Sequence, residues 1–276
     1  MSLIVTRTKM NKYLKILEIS LQQEFTYKLN FIMWRIRNIM QVLVFFFLWS
    51  SVFQNSNVNY FGYSKEKIIA YAFLLIFVRA IIMSSRSVDV AGIISNGELS
   101  NLLLKPINFF KYWITRDISS KFLNIIFSFV EITVLFLILK PEIFVQTNFV
   151  NIVLFVASLL IASLIFFSIA MLTSFVPFWI PEISWGAQFL VIVIFVEFLS
   201  GAFFPLDVFP TFIQNILKFT PFPYLVFVPI QTYLGNESIQ LSLLSLTVGA
   251  MWALILLFIT KKIWQKGLKV YEAIGR

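Results

Sequence analysis

Long apolar stretches alternate with shorter polar ones along the whole chain. A helix that crosses about 30 Å of hydrocarbon needs roughly 20 mainly apolar residues. Stretches of this kind lie at residues 36–54, 67–84, 119–139, 149–176, 186–205 and 239–260. The first two are short, whereas the last is the most continuous and ends at Lys261 and Lys262. The pattern predicts an all-α integral membrane protein with six transmembrane helices.

The composition agrees with this class and excludes several functions. Of the 276 residues, 59% are hydrophobic and 13% are charged, against about 25% charged residues in soluble domains. The chain has no cysteine and no histidine, which rules out disulfides, thiolate catalysis, zinc sites and histidine proton relays. The sequence shows no cluster of acids and no nucleophile–base pair. We therefore predict a protein that is not an enzyme and binds no metal or cofactor itself.

The basic residues indicate the orientation. Most of them precede the first predicted span, follow the second, or follow the sixth; the opposite side has only Lys65, Lys67, Lys140 and Lys218. Lysine and arginine in short loops stay in the cytoplasm. We therefore predict that both termini are cytoplasmic. The net charge of +9 then reflects this arrangement and not the binding of nucleic acid.

The chain is predicted to form a single transmembrane domain, with a six-span bundle at 36–260 and a basic cytoplasmic tail at 261–276. The piece before the bundle, residues 1–35, has apolar positions at helical spacing: Tyr13, Leu14, Leu17, Leu21 and Phe25. Charged residues lie between them, which favours a basic amphipathic helix in the inner leaflet interface. An ordinary cytoplasmic lead-in is the alternative.

The connection after the second span contains GELSNLLLKP, referred to below as the 97–106 segment. Gly97 can end one helix, and Pro106 prevents a simple continuation of the next. Two helical turns between them would place three leucines on one side: Leu99, Leu102 and Leu103. This apolar face fits either a groove on a cytoplasmic partner or the underside of the bundle, and the sequence leaves both alternatives open.

The same connection excludes a nucleotide-binding site. GIISNG, residues 92–97, matches the first six positions of the phosphate-binding loop. Glu98 and Leu99 then stand where that loop has lysine and serine or threonine, and an acid there would repel phosphate. Any ATP-driven work therefore requires a separate subunit.

Away from the ends of the predicted spans, three ionisable residues lie within them: Arg79, Glu131 and Glu197. A charged group at the bilayer centre costs about 2.5–3.5 kcal/mol on insertion scales, so these side chains should face protein or water. Arg79 lies near the inner end of its span and could extend to the headgroups. The two glutamates either lie on a substrate or coupling path, or form structural pairs with Arg79 or with a partner chain.

The segment between the fifth and sixth spans, called the outer segment, is apolar although prolines interrupt it repeatedly. Exposed loops are seldom so apolar, and broken backbone at membrane depth is tolerated only when it packs against protein. We predict short helices that re-enter the outer leaflet.

The order of these features resembles that of the permease subunits of ABC exporters of the second type. Nearly the whole chain is similar to a six-span bacterial family that has G-x-L-x-x-L-L-x-x-P after the second span, as Gly97 to Pro106 does here. SGAFFPLDVFP and KFTPFPYLVFVP carry the G-x-x-F-P and P-F-x-Y patterns of the outer segment in these permeases. The candidate residues there are Gly201, Phe204, Pro205, Pro210, Pro221, Pro223 and Tyr224.

The resemblance implies a permease of the bacterial cytoplasmic membrane that pairs with an identical or related permease and binds separate ATPase subunits, which hold ATP and magnesium. It also implies that the first cytoplasmic loop supplies a coupling helix that docks on the ATPase. The family exports its substrates, and the aromatic-rich chain favours an amphiphilic one. The coupling residues carried onto this chain are Gly97, Glu98, Leu99, Leu102, Leu103, Lys105 and Pro106.

Two functions of other classes are alternatives. The first is a proton-coupled secondary carrier that uses Glu131 and Glu197, which the lack of histidine and of a detectable internal repeat disfavours. The second is a non-transporting membrane scaffold or sensor with the same six spans. An ATPase partner would favour the exporter, and an activity that needs both glutamates but no ATPase would favour the carrier.

Overall fold

The computed structural model describes residues 12–23, 28–53 and 59–271. It is 79% helical, and these ranges contain no β-strand. The predicted all-helical class is therefore confirmed. The predictions for residues 1–11, for Phe25 and for the end of the basic tail fall outside the described residues.

The helices are numbered in chain order. Their bounds are α1 12–23, α2 Lys28–Val52, α3 Lys65–Ile82, α4 Val90–Ser95, α5 Leu99–Leu103, α6 Phe109–Leu139, α7 Phe149–Ser174, α8 Ser184–Gln188, α9 Glu197–Leu199, α10 Thr211–Leu217, α11 Phe227–Leu234 and α12 Ile239–Val270. A 3-10 turn, Arg86–Asp89, lies between α3 and α4, and a π-helical stretch, Phe189–Val196, joins α8 to α9.

Four helices are long and apolar enough to cross a membrane among the described residues: Phe31–Val52, Phe109–Leu139, Phe149–Phe178 and Ile239–Val270. A fifth candidate combines α3 with the helical stretch Arg86–Ser95, and the chain bends by 49° between the two. The apolar helix Trp185–Leu199 is shorter. The structure therefore gives four to five candidate spans, and the sixth span and the re-entrant outer helices stay predictions.

The helix α6 begins at Phe109, well before residue 119, where the apolar stretch placed its start. Asn108 caps it, because its side-chain oxygen accepts a hydrogen bond of 3.0 Å from the backbone N–H of Lys111. The first turns of α6 carry charged residues such as Asp117, and a search for apolar runs therefore leaves these turns out of the predicted span. The whole helix has 31 residues and is about 46 Å long at 1.5 Å per residue, which exceeds the thickness of the hydrocarbon.

The core of the bundle surrounds α7, which is the most buried of the candidate spans and packs against α3, α11 and α12. Ile165 and Phe166 near its middle are almost completely buried. In contrast, α2, α6 and α12 leave most of their apolar surface outside the fold, as expected for helices that face lipid or another membrane chain.

A second apolar cluster closes the end of the bundle that carries α4 and α5; it is called the base cluster and includes Phe109, Trp113, Phe175, Phe178 and Trp264. The rings of Phe109 and Trp264 are stacked, with centroids 3.7 Å apart. Gly267 of α12 makes room for the ring of Phe178, since a β-carbon at this position would overlap that ring. The base cluster therefore holds α6 and α12 to the connection that contains the 97–106 segment.

Candidate functional site

The 97–106 segment begins at a left-handed helix end. Gly97 follows α4 with a φ of 77°, a conformation that glycine adopts at low cost. Its backbone N–H donates to the carbonyl of Ile94, and the N–H of Glu98 donates to the carbonyl of Ile93. This is the Schellman arrangement that ends helices. The chain reverses here and starts α5 at Leu99.

The leucines of the 97–106 segment differ in their exposure. Leu99 is completely buried in the base cluster, and Leu102 is partly buried against it. Leu103 is 46% exposed and Leu104 is 85% exposed. The exposure of the three leucines on the predicted face, Leu99, Leu102 and Leu103, therefore rises along the five-residue helix, because the helix is anchored through its first leucine and its end points outwards.

The outward surface of the segment is mixed in character. Glu98, Lys105 and Pro106 are exposed beside Leu103 and Leu104. Behind them is a pocket of about 320 Å³ whose walls come from α5, the start of α6 and the end of α12, with Leu102, Phe110, Trp264 and Leu268 among them. An exposed pair of leucines beside a cation and an open apolar pocket is a surface suited to a protein partner.

The N-terminal helix α1 lies against the same region. The Nζ atom of Lys12 donates a hydrogen bond of 2.8 Å to the carbonyl of Pro106. Ser119 donates to the carbonyl of Leu17 at 3.2 Å, and Arg116 donates to the side chain of Gln23 at 3.1 Å. The described part of the amphipathic helix therefore packs on α6 and reaches the end of the 97–106 segment.

A buried acid of α6 holds the start of the 3-10 turn after α3. Asp117 accepts hydrogen bonds from the backbone N–H groups of Arg86 at 2.7 Å and Ser87 at 3.3 Å, and from the hydroxyl of Ser85 at 2.8 Å. A carboxylate at a helix N-terminus satisfies N–H groups that have no partner within the helix and complements the helix dipole.

A lysine one turn further along α6 holds the end of α3. The Nζ atom of Lys121 donates to the carbonyl of Ile81 at 2.6 Å and to that of Ile82 at 3.2 Å. A cation at a helix C-terminus complements the dipole in the opposite sense. Lys121 and Asp117 thus fasten both sides of the 49° bend, which is called the α3–α4 joint.

Two further side chains tie the α3–α4 joint to the rest of the bundle. The hydroxyl of Ser174, at the end of α7, donates to the carbonyl of Ser87 at 2.9 Å. Gln188, at the end of α8, donates to the carbonyl of Val88 at 2.6 Å and to Ser174 at 2.9 Å. Four helices of the bundle therefore meet where the chain turns from α3 towards α4.

The acid predicted in the fifth span is paired with two arginines. Glu197 accepts two hydrogen bonds from Arg79, at 2.8 Å and 2.5 Å, and both side chains are 6% exposed. Arg37 of α2 adds a third hydrogen bond at 2.9 Å. The structure thus pairs Glu197 with Arg79, one of the alternatives of the sequence analysis, and Arg79 does not extend to the headgroups.

The acid predicted in the third span has a partner that the sequence analysis missed. Glu131 accepts a hydrogen bond of 3.1 Å from Arg35, which also donates to the backbone and side-chain oxygens of Asn124. The sequence analysis assigned Arg35 and Arg37 to the cytoplasmic side, at the start of the first span. They lie inside the candidate span Phe31–Val52, and their spacing of two places them on nearly opposite sides of α2.

The outer segment starts at a tight turn around Gly201. Its φ is 88°, its carbonyl accepts a hydrogen bond of 2.7 Å from the hydroxyl of Tyr71, and the carbonyl of Ser200 accepts one of 2.8 Å from the N–H of Phe227. The first residue of α11 is therefore tied to the end of α9.

The other candidate residues of the outer segment lie in its short turns. Pro205 precedes the 3-10 turn Leu206–Val208, and Pro210 precedes α10. The ring of Phe204 contacts that of Phe209. The hydroxyl of Tyr224, which follows Pro221 and Pro223 in the chain, donates to the carbonyl of Lys218 at 3.0 Å. These residues shape the turns and do not converge on one site.

A buried polar network that the sequence analysis missed joins the outer segment to α3 and α11. Asp207 accepts hydrogen bonds of 2.7 Å from the hydroxyl of Tyr63 and from the side-chain amide of Gln231. Burial raises the pKa of the Asp207 carboxyl, and these two hydrogen bonds offset part of the rise. Asn236 continues the network from Gln231 to Lys67. A lone aspartate in an apolar stretch was its only signal in the sequence.

Replacing Gly201 by alanine is expected to lower the free energy of unfolding by about 2–3 kcal/mol, because a positive φ and overpacking both oppose a side chain there. The added β-carbon would lie 2.8 Å from the Tyr71 hydroxyl and 3.0 Å from the β-carbon of Phe227. Thermal unfolding of the detergent-solubilised chain measures the effect.

The matched control is Gly62→Ala. Gly62 has a similar φ of 82°, but a β-carbon there meets nothing within 4 Å. The control should therefore lose only the conformational part, about 1 kcal/mol. Equal losses for the two variants would contradict the close packing at Gly201.

One protein-family model, described as ABC-2 family transporter protein, matches residues 39–275 of the chain. A search among curated proteins gives no significant match. The matched range includes the α3–α4 joint, the 97–106 segment, the base cluster and the outer segment.

Proposed function

Because the chain belongs to the ABC-2 family of transporter proteins, we propose that this membrane permease couples to a separate ATPase subunit through its 97–106 segment. With an identical or related permease it forms the translocation path of an exporter. ATP and magnesium belong to the ATPase, since the sequence lacks the lysine and hydroxyl residue of a phosphate-binding loop.

The observation that carries the coupling role is the exposed end of α5. Leu103 and Leu104 point away from the bundle, whereas Leu99 of the same short helix is buried in it. Such a helix is anchored in the permease by one residue and leaves its apolar end free for a partner. The contact of Lys12 with Pro106 adds α1 to the same docking surface.

The α3–α4 joint supports a mechanical role for the segment. ATP binding would bring the ATPase subunits together and push the 97–106 segment. Because Asp117 and Lys121 fasten both sides of the bend, the push is not absorbed there and moves α3 and α6 together. That displacement would change the access of the path between the permeases, and ATP hydrolysis would reset it.

The proposed setting is the bacterial cytoplasmic membrane, with both termini and the 97–106 segment in the cytoplasm. The charges before the first span and after the last support this orientation. Export of an amphiphilic substrate follows from the family resemblance and from the apolar lining that such a bundle offers.

The test is co-purification from the native cell. The tagged chain is extracted in a mild detergent, and bound ATPase is identified by mass spectrometry, for the wild type and for Leu103→Asp with Leu104→Asp. We expect the ATPase to elute with the wild type and to fall by about tenfold or more in the double variant, as for the loss of a central interface contact.

The control also replaces two exposed apolar residues by aspartate, but on the outer segment, as Phe212→Asp with Phe219→Asp. Both phenylalanines are exposed, at 73% and 81%, and they lie far along the chain from the docking surface. This variant should keep its ATPase. The proposal fails if the wild type captures no ATPase under conditions that preserve other membrane complexes, or if both variants lose it equally.

A further inference from the structure

The end of α12 projects out of the bilayer on the side of the 97–106 segment. The helix has 32 residues and is about 48 Å long at 1.5 Å per residue. The hydrocarbon is about 30 Å thick, and the headgroups add roughly 5–7 Å on each side. Leu268 follows the last residue of the apolar stretch, Thr260, by eight positions, which is about 12 Å along the helix. Leu268 therefore lies beyond the headgroups.

The pocket behind the 97–106 segment opens at this level. Trp264 and Leu268 form its α12 wall, and α5 with the start of α6 forms the other. Its volume of about 320 Å³ lies within the range of roughly 300–1,000 Å³ that holds small organic molecules. The side-chain oxygen of Asn108, the one amide in its lining, already accepts a hydrogen bond from Lys111. An apolar opening outside the bilayer has no acyl chains to cover it, and it therefore fits an apolar group of a protein.

The two walls of the pocket are joined where the described part of the chain ends. The hydroxyl of Tyr271, directly after α12, lies 3.3 Å from the hydroxyl of Ser100 on α5. The ring of Tyr271 also contacts that of Phe178 in the base cluster. The pocket is thus already formed in the single chain, and a partner that covers α5 meets α12 beside it.

The charges around the pocket have one sign. Residues 97–111 and 261–271 contain one acid, Glu98. The same two ranges contain six exposed lysines: Lys105, Lys111, Lys261, Lys262, Lys266 and Lys269. Lys105 is two residues before Ile107, which lines the pocket, and Lys261 is two helical turns from Leu268 on the same side of α12. A partner surface that matches these edges is acidic.

We propose that the ATPase subunit inserts a large apolar side chain, flanked by acidic residues, into the pocket between α5 and α12. An apolar anchor in a pocket from which water is excluded supplies much of the affinity of an interface, and the acids beside it would face Lys105 and Lys261. This inference rests on the proposed function and adds to it the end of α12 as a second contact. Movement of the ATPase then reaches α12 directly, besides the α3–α4 joint.

The first test changes the charges at the edges of the pocket. The ATPase identified by co-purification is purified and titrated against the purified full chain in a neutral detergent. Lys105→Glu with Lys261→Glu should weaken binding by about tenfold or more, because each change sets an acid against an acid. The control, Lys262→Glu with Lys266→Glu, makes the same change on the opposite side of α12, since each lysine is two residues from Trp264. It should change binding less than about threefold.

The second test fills the pocket. Ile107 lines it without being one of the residues of the base cluster, so that Ile107→Trp occupies the space without disturbing the cluster. Binding of the ATPase should again fall by about tenfold or more. Val270→Trp is the control, because Val270 is 51% exposed at the same end of α12 but on another side, and it should bind as the wild type does. Thermal unfolding and particle size confirm that each variant is folded.

The outcomes separate this inference from the proposed function. A wild type that captures no ATPase overturns both. The inference alone fails if the Leu103 and Leu104 double variant loses the ATPase while the Lys105 and Lys261 pair, or Ile107→Trp, binds as tightly as its control. Equal losses in the two lysine pairs would mean a general attraction to positive charge, and would also overturn it.

Discussion

Glutamine in place of Glu197 is expected to cause a large loss of stability. The change keeps the shape of the side chain but removes the negative charge that two arginines share. Breaking a buried ion pair by removing one partner costs about 3–5 kcal/mol, because the remaining charge is left without compensation. At about 2–4 °C per kcal/mol, the Tm should fall by roughly 10 °C.

The measurement is thermal unfolding of the purified chain, followed by tryptophan fluorescence. Glu182→Gln is the matched control, since Glu182 is exposed in the turn before α8, and its Tm should not change. Adding Arg37→Gln to Glu197→Gln should restore part of the loss, because it removes the repulsion between Arg37 and Arg79. If Glu197→Gln behaves like its control, the three-residue cluster does not stabilise the fold.

Alanine in place of Asp117 is expected to loosen the α3–α4 joint. It leaves the N–H groups of Arg86 and Ser87 and the hydroxyl of Ser85 without their acceptor, at about 1–3 kcal/mol for each buried group that stays unsatisfied. It also removes the carboxylate that is the charged neighbour of Lys121. We expect a total loss of about 3 kcal/mol or more, and a smaller loss for Asp117→Asn, which keeps one acceptor oxygen.

Two measurements separate local damage from a role in coupling. Thermal unfolding gives the stability, with Asp89→Ala as the control, because Asp89 is a partly exposed acid of the same 3-10 turn. ATPase co-purification with Asp117→Asn, compared at a temperature at which this variant is folded, shows whether the docking surface is displaced. An Asp117→Ala variant no less stable than Asp89→Ala would contradict the proposed joint.

The sequence predicts the helical class and the longest helices because apolar runs of sufficient length admit few other structures in a membrane. The apolar stretches at 149–176 and 239–260 correspond to α7 and to the first two thirds of α12. The helix α6 begins before the predicted span because its first turns carry charged residues, which end an apolar run; one of them, Asp117, is buried by tertiary contacts.

The position of the candidate site along the chain was predictable from the sequence, whereas the residues that form its exposed surface were not. Gly97 and Pro106 bound α5 correctly, since both act through local backbone geometry. Which leucine faces the bundle depends on the direction of α4, because α5 follows it directly. Asp117 and Lys121, which are distant in sequence, set that direction at the α3–α4 joint. The partner of Glu131 was missed for the same reason: Arg35 lies 96 residues earlier.

These long separations bear on how the chain enters the membrane during synthesis. Arg35 and Arg37 emerge from the ribosome well before the acids they meet, which follow 96 and 160 residues later. Until α6 and α9 have been made, α2 carries two uncompensated charges and is a poor substrate for stable insertion. Its final position in the bilayer is therefore a late event that completes the bundle, and the first candidate span to be translated is among the last to reach its place.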